Sequence, residues 1–289
     1  MKITLFAIAV LLLLNAGCAE IETQHVADEI NPSSKTNLTL KERLSGPIAG
    51  GHQGDLFSLK FNTIAAFELA RRAGVDVVEM DLHLSKDGIP VVYHDHNLSR
   101  WTMCHGRVGE LTYAELGRCK FKLSNEKIPR FEDVLMWSHG RVVVNAEFKE
   151  IAPIDPAVLL VAKYNAYEWV YFQVKSDEQY VHLRSLDTKV NILLVANDRA
   201  DLEHIISFHD EHVLLIELAE DSDTPENIEY VHANGKIATK DAFDFDPFLE
   251  IFGAKCNKIF KRNIDVAISN RPYGCVAQKQ KFLRDKSVQ

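Results

Sequence analysis

The sequence predicts a single α/β domain of the TIM type, a (β/α)8 barrel with little or no cap insertion. Two observations lead there. From Pro47 onward, short apolar runs alternate with helical patterns, the mark of βα units and a mainly parallel sheet. Four of those runs end in groups that carry chemistry: His52-Gln53-Gly54, Glu79-Met80-Asp81, His94-Asp95 and Glu147-Phe148-Lys149. Residues at the ends of successive parallel strands converge at one mouth of a barrel. A length of 289 residues with 46% hydrophobic content suits one such core rather than two small domains.

In chain order, residues 1–18 read as a secretory signal: Lys2, an apolar stretch from Ile3 to Leu14 too short to span a bilayer, then Asn15-Ala16-Gly17-Cys18. Ala16-Gly17-Cys18 resembles the end of a bacterial lipoprotein signal, in which Cys18 is lipidated and becomes the mature N-terminus; cleavage after Ala19 is the alternative. Both imply export, to the periplasm or to a membrane anchored through Cys18. Residues 19–45 are polar, with Asn31-Pro32-Ser33-Ser34, and read as a tether ahead of a barrel spanning 46–289.

Nine runs are candidate strands: Ile48–His52, Val75–Leu84, Pro90–His94, Val142–Phe148, Val170–Val174, Val190–Val195, Val213–Leu218, Lys236–Thr239 and Val266–Ile268. An eight-stranded barrel needs one fewer. The first helix is marked by Asn62 or Thr63 as cap, by Ile64, Phe67 and Ala70 at helical spacing, and by Gly74 as its end. Asn227 to Ala233 and Pro247 to Arg262 also read as helical. The span between Asp95 and Val142 is short for a cap domain, which predicts a pocket open above.

Residues two apart on a strand share a face, so Glu79 and Asp81 project together, as do Glu147 and Lys149. Three carboxylates held close raise one another's pKa unless a cation neutralises them, and oxygen-only ligands favour one hard ion, Ca²⁺ or Mg²⁺. His52 and His94 suit proton transfer near neutral pH. Asp95 is placed to orient His94, and His83, on the face of Asp81, reads as structural.

In order and in kind these segments resemble the glycerophosphodiester phosphodiesterase family, whose pattern runs His-Arg-Gly, Glu-x-Asp, His-Asp and Glu-x-Lys. Asn62-Thr63-Ile64-Ala65-Ala66-Phe67, Asp87-Gly88-Ile89-Pro90-Val91-Val92-Tyr93-His94-Asp95 and Ile128-Pro129-Arg130-Phe131-Glu132-Asp133-Val134-Leu135 extend the likeness, which is dense from about Gly50 to Lys149. The resemblance implies metal-dependent hydrolysis of glycerophosphodiesters, with His52 and His94 as the acid–base pair. It also implies Glu79, Asp81 and Glu147 as metal ligands and Lys149 and Gln53 on the substrate phosphate. Beyond Lys149 the likeness thins: Asn270 stands where an aspartate is usual, and Ala238-Thr239-Lys240 where the family has a tryptophan-containing segment. Gln53 replaces the family arginine, and Phe61 the glutamate of an upstream proline-glutamate pair, a joint change suited to the loss of an ion pair and to a substrate whose apolar part reaches Phe61.

Two other functions fit parts of this pattern: a phospholipase-like relative acting on intact lipids, and a pseudoenzyme that binds a phosphodiester without cleaving it. A formal net charge of −8 argues against a nucleic-acid partner. Apart from Cys18, four cysteines remain. Pairings 104–119 and 256–275 are the simplest of three connectivities, with free buried thiols the alternative, and no pair has zinc-ligand spacing.

Overall fold

The computed structural model describes residues 38–58, 60–219, 222–243 and 247–287. The predicted signal and Cys18 lie outside them. All nine predicted strands are present: β1 Ile48–Gly51, β2 Val77–Leu84, β3 Pro90–Val92, β4 Val143–Phe148, β5 Val170–Val174, β6 Asn191–Ala196, β7 Val213–Leu218, β8 Ile237–Asp241 and β9 Val266–Ser269. Eight of them close a parallel barrel in the order β1, β2, β4, β5, β6, β7, β8, β9, with β9 returning to β1.

The strand outside the barrel is β3, which pairs antiparallel with the end of β2. Only five residues separate Leu84 from Pro90, enough for a hairpin turn and far too few for the crossover a parallel neighbour requires.

Helices cover the outside. After α1 (Leu40–Arg43), helix α2 (Ile64–Ala73) is capped by Thr63, whose side chain accepts from the Ala66 N–H, and is ended by Gly74 in the left-handed region. Then follow α3 Tyr113–Leu116, α4 Phe131–Ser138, α5 Ile154–Tyr164, α6 Asp177–Leu186, α7 Arg199–Ser207 and α8 Pro225–Ala233. The stretch from Pro247 to Arg262 divides into α9 (Pro247–Ile251) and α10 (Ala254–Lys261), and α11 (Pro272–Ser287) closes the chain. The break falls at Gly253, whose φ of +64° interrupts the helix and where a Cβ would run into the Gly274 backbone.

The stretch read as a tether needs a shorter boundary. Helix α1 lies within residues 38–45, Leu40 and Leu44 are each 1% exposed, and both pack with Ile48, Val77, Val143 and Val266 into the closed end of the barrel. These two leucines cover apolar surface at the foot of the strands, so the domain begins by Leu40 rather than at 46.

Between β3 and α4 the chain builds a small flank beside the mouth. Phe61, Val91, Tyr93, Leu98, Phe121 and Ile128 form its core, and a Cys104–Cys119 disulfide ties it; a second disulfide joins Cys256 to Cys275. The simplest predicted pairing is therefore the one present.

Candidate active site

Period-two alternation turns the inner face of β2 and β4 from apolar at the foot to polar at the mouth. Val77, Glu79 and Asp81 rise along the inner face of β2, and Val143, Asn145 and Glu147 along β4. Parallel register sets Asp81 beside Glu147 and Glu79 beside Asn145. Ligand oxygens of Glu79, Asp81 and Glu147 lie within 4.8 Å of one another, and all three residues are buried.

The three carboxylates have partly separate partners, with Lys149 shared between two of them. Glu79 Oε2 accepts the Gln53 N–H at 2.8 Å and lies 3.8 Å from His52 Nε2. Asp81 Oδ2 accepts from Asn62 Nδ2 at 2.6 Å. Lys149 Nζ reaches Asp81 Oδ1 at 2.7 Å and Glu147 Oε1 at 2.5 Å, and Lys175 Nζ meets that same Glu147 oxygen at 2.9 Å.

The charges are not in balance within this pocket. Burial, and then the charges of Asp81 and Glu147, push the Glu79 carboxyl well above the ordinary range. Burial also acts to raise Asp81, but Lys149 and the two histidines outweigh it and its pKa is lowered. Lys149 is lowered by burial alone, yet attraction from Asp81 and Glu147 carries the net shift upward. An all-oxygen set of three clustered carboxylates, one of them driven toward its neutral form, fits a hard divalent cation.

The two predicted histidines stand at the same mouth. His52 follows β1, where Gln53 (φ +52°) and Gly54 (φ +82°) bend the chain sharply; a Cβ on Gly54 would come within 2.7 Å of the Ala66 backbone. His52 Nδ1 bonds Asn270 Oδ1 at 2.6 Å, and its ring lies 4.4 Å from that of Phe243. With Asn270 Oδ1 accepting, Nδ1 carries the proton and Nε2 faces Glu79. Burial holds the His52 pKa below its ordinary value. His94 is more open, with a side chain 40% exposed, and its Nδ1 donates to Asp95 Oδ1 at 2.7 Å. Arg100 approaches the other Asp95 oxygen at 3.6 Å.

Two expectations change. Gln53 enters the site through its backbone: the N–H goes to Glu79 and the carbonyl accepts from the Asn62 N–H at 3.0 Å, while the residue is 4% exposed. Phe61 is enclosed in the flank rather than open to the mouth. It is 5% exposed, edge-on to Trp101 at 4.8 Å and to Phe121 at 5.9 Å, so aromatic packing in the flank fills its position.

Several residues at the mouth were not singled out from the sequence. Asn62, read there as a helix cap, instead binds Asp81 from a left-handed backbone at φ +55°. Asn145 donates to Gln173, and Gln173 donates to Glu217 Oε2 at 2.9 Å, which makes a polar chain across the strands beneath the carboxylates. Burial raises the Glu217 pKa, against the pull of Lys175. A signal for them existed: Gln173 and Glu217 each follow a buried apolar residue at the same parity on a barrel strand, and Lys175 comes just past a strand end.

The pattern of the Glycerophosphoryl diester phosphodiesterase family matches residues 52–238. Among curated relatives, a glycerophosphodiester phosphodiesterase of Caldanaerobacter subterraneus is 35% identical over 114 residues, 37% of this chain and 47% of that protein. The human protein named Lysophospholipase D GDPD1 is 42% identical over 65 residues, 22% of this chain and 21% of its own length. The chain thus spans about half, or less, of the length of the curated relatives it matches. A glycerophosphoryl diester phosphodiesterase structure from Parabacteroides distasonis superposes with a TM-score of 0.71 at 18% identity, covering 84% of this chain and 92% of that one. A phosphodiesterase from Oleispira antarctica, solved with the product sn-glycerol-3-phosphate, gives 0.67 at 20% identity, covering 81% and 97%.

Proposed function

This chain belongs to the glycerophosphoryl diester phosphodiesterase family, and on that premise we propose that it hydrolyses glycerophosphodiesters to glycerol 3-phosphate and an alcohol. The reading assigns one divalent cation, Ca²⁺ or Mg²⁺, to Glu79, Asp81 and Glu147, and proton transfer to His52 and His94. The observation that carries it is the meeting of three buried carboxylates with His52, 3.8 Å from Glu79, at the mouth of one barrel.

The chemistry supplied by a bound cation is polarisation of a phosphoryl oxygen and offset of the charge that builds on the phosphoryl group. The chain's own groups do the rest. Asn270 and Asp95 each take an Nδ1–H, so that the Nε2 atoms of His52 and His94 are the nitrogens free to exchange protons. One histidine removes the proton of the attacking hydroxyl, whether from water or from the neighbouring glycerol hydroxyl, and the other delivers a proton to the departing alkoxide. Lys149 donates to Glu147 and pairs with Asp81 at 2.7 Å, and its ammonium, with three N–H groups, can also reach a phosphate oxygen.

Cleavage of intact lipid is the second reading, favoured by a specific feature. Leu249 and Ile251 on α9, Phe252 just after it and Tyr273 at the start of α11 are exposed, and Glu250 of α9 accepts the N–H of Asn270, the residue that holds His52. Incubation with glycerophosphocholine, glycerophosphoethanolamine, intact phospholipid and bis-p-nitrophenyl phosphate, with Ca²⁺, Mg²⁺ or EDTA, tests both. Release of glycerol phosphate only with cation supports the first reading, and cleavage of intact lipid alone supports the second. Binding without turnover in every condition makes the protein a pseudoenzyme.

We also place the protein outside the cytoplasm, anchored through Cys18 if the leader is of lipoprotein type. The two disulfides support an oxidising compartment.

A further inference from the structure

We infer that His83, His96 and Glu150 form a second cation site, distinct from the carboxylate cluster and suited to a Zn²⁺-class ion rather than to Ca²⁺ or Mg²⁺. Their ligand atoms lie within 4.8 Å of one another. His83 Nδ1 is 3.1 Å from Glu150 Oε1, and the rings of His83 and His96 stand 4.8 Å apart at 65°. Neighbouring donors around a tetrahedral ion with bonds of 2.0–2.1 Å sit about 3.4 Å apart, close to the 3.1 Å between His83 Nδ1 and Glu150 Oε1.

The hydrogen-bond arithmetic of His83 points to a ligand. The residue is 1% exposed, and its two ring nitrogens face two acceptors: the His94 carbonyl oxygen, 3.2 Å from Nε2, and the Glu150 carboxylate, 3.1 Å from Nδ1. A neutral imidazole has one N–H, so it satisfies one acceptor and turns a lone pair toward the other. With Nε2–H donated to the carbonyl, the Nδ1 lone pair and the Glu150 oxygen converge on one point, where an ion would bind both. A metal-bound histidine commonly gives its other N–H to a backbone carbonyl in this way.

Ligand chemistry separates the two sites. Two imidazoles and one carboxylate select borderline ions such as Zn²⁺ or Co²⁺, whereas the oxygen-only cluster selects hard ones. His96 is exposed and Glu150 is half-buried, which gives an ion a path in and water a fourth position. The ion would tie the end of β2 and the residue after Lys149 to the segment His94-Asp95-His96, so it braces the loop that carries His94.

The test uses the whole protein in excess Mg²⁺, which fills the oxygen cluster, and titrates Co²⁺ as a spectroscopic probe. One equivalent of Co²⁺ with visible d–d bands and imidazole ligation by X-ray absorption is expected. His96→Ala and Glu150→Gln, both at accessible positions and both outside the proposed catalytic groups, should weaken Co²⁺ binding by about 100-fold or more. Circular dichroism confirms that each variant is folded. Absence of imidazole-bound Co²⁺ in the wild type, or equal binding by the two folded variants, overturns the site and leaves His83 and Glu150 as an imidazolium–carboxylate pair.

Discussion

Replacing Lys149 by methionine removes the cation that holds two of the three mouth carboxylates. Its Nζ lies 2.7 Å from Asp81 Oδ1 and 2.5 Å from Glu147 Oε1, and the side chain is only 17% exposed. At the first distance one contact is worth roughly 6 kcal/mol before desolvation, with an effective dielectric of about 20. Much of that offsets the burial of the ammonium, and loss of one partner from a buried pair costs about 3–5 kcal/mol net. Glu147 still keeps Lys175, so the stranded group is Asp81, left with the Asn62 amide.

Urea unfolding in EDTA should therefore show Lys149→Met destabilised by ~3–5 kcal/mol. A divalent cation at a hundredfold excess over its Kd contributes about 2.7 kcal/mol wherever it binds only the folded state. Lys149 competes for the same oxygens in the wild type, so Mg²⁺ should restore the variant by more than it stabilises the parent. A loss below ~1 kcal/mol in EDTA, or equal Mg²⁺ gains in both proteins, refutes the shared-oxygen reasoning.

Other perturbations have defined outcomes. Phe61→Glu buries a carboxylate in the aromatic flank and should cost ~3 kcal/mol or more by thermal melting, with Gln53→Arg recovering part of the loss. The double variant should lower KM for glycerophosphocholine more than Gln53→Arg alone, and equal effects would show that the two positions act independently. Cys104→Ser with Cys119→Ser opens a 15-residue loop and should cost about 3 kcal/mol in denaturant unfolding. Glu68, whose pKa is held down to about 2 chiefly by hydrogen bonding from Arg71, is stabilising above the ordinary carboxylate range and loses that contribution as pH falls toward 2. The stability gap between wild type and Glu68→Gln should accordingly be present at pH 7 and close on acidification; a gap that is constant with pH contradicts the assignment.

Much of the barrel was legible because its inward positions alternate strictly: Val77, Glu79 and Asp81, or Val143, Asn145 and Glu147, announce both the strand and the site. The odd strand was not picked out among the nine runs, although the five residues between Leu84 and Pro90 allow a hairpin and are too few for a parallel crossover. What the sequence concealed depends on three-dimensional neighbours. Asn62 looks like a helix cap until the left-handed backbone aims it at Asp81. Phe61 looks like an exposed substitution until Trp101 and Phe121, 40 and more residues along the chain, enclose it. Leu40 and Leu44 sit in a polar stretch with no periodic pattern, and only the apolar foot of the barrel, opposite the mouth, explains their burial.

The central claim is that the carboxylates hold a cation while the histidines move protons, and one paired measurement separates those roles: cation-dependent thermal stabilisation read beside turnover of glycerophosphocholine. Glu79→Ala, Asp81→Ala and Glu147→Ala should lose both. His52→Ala and His94→Ala should lose about 100-fold or more in turnover and keep the stabilisation largely intact. Undiminished cation stabilisation in all three carboxylate variants, or near-normal turnover in either histidine variant, would contradict the account.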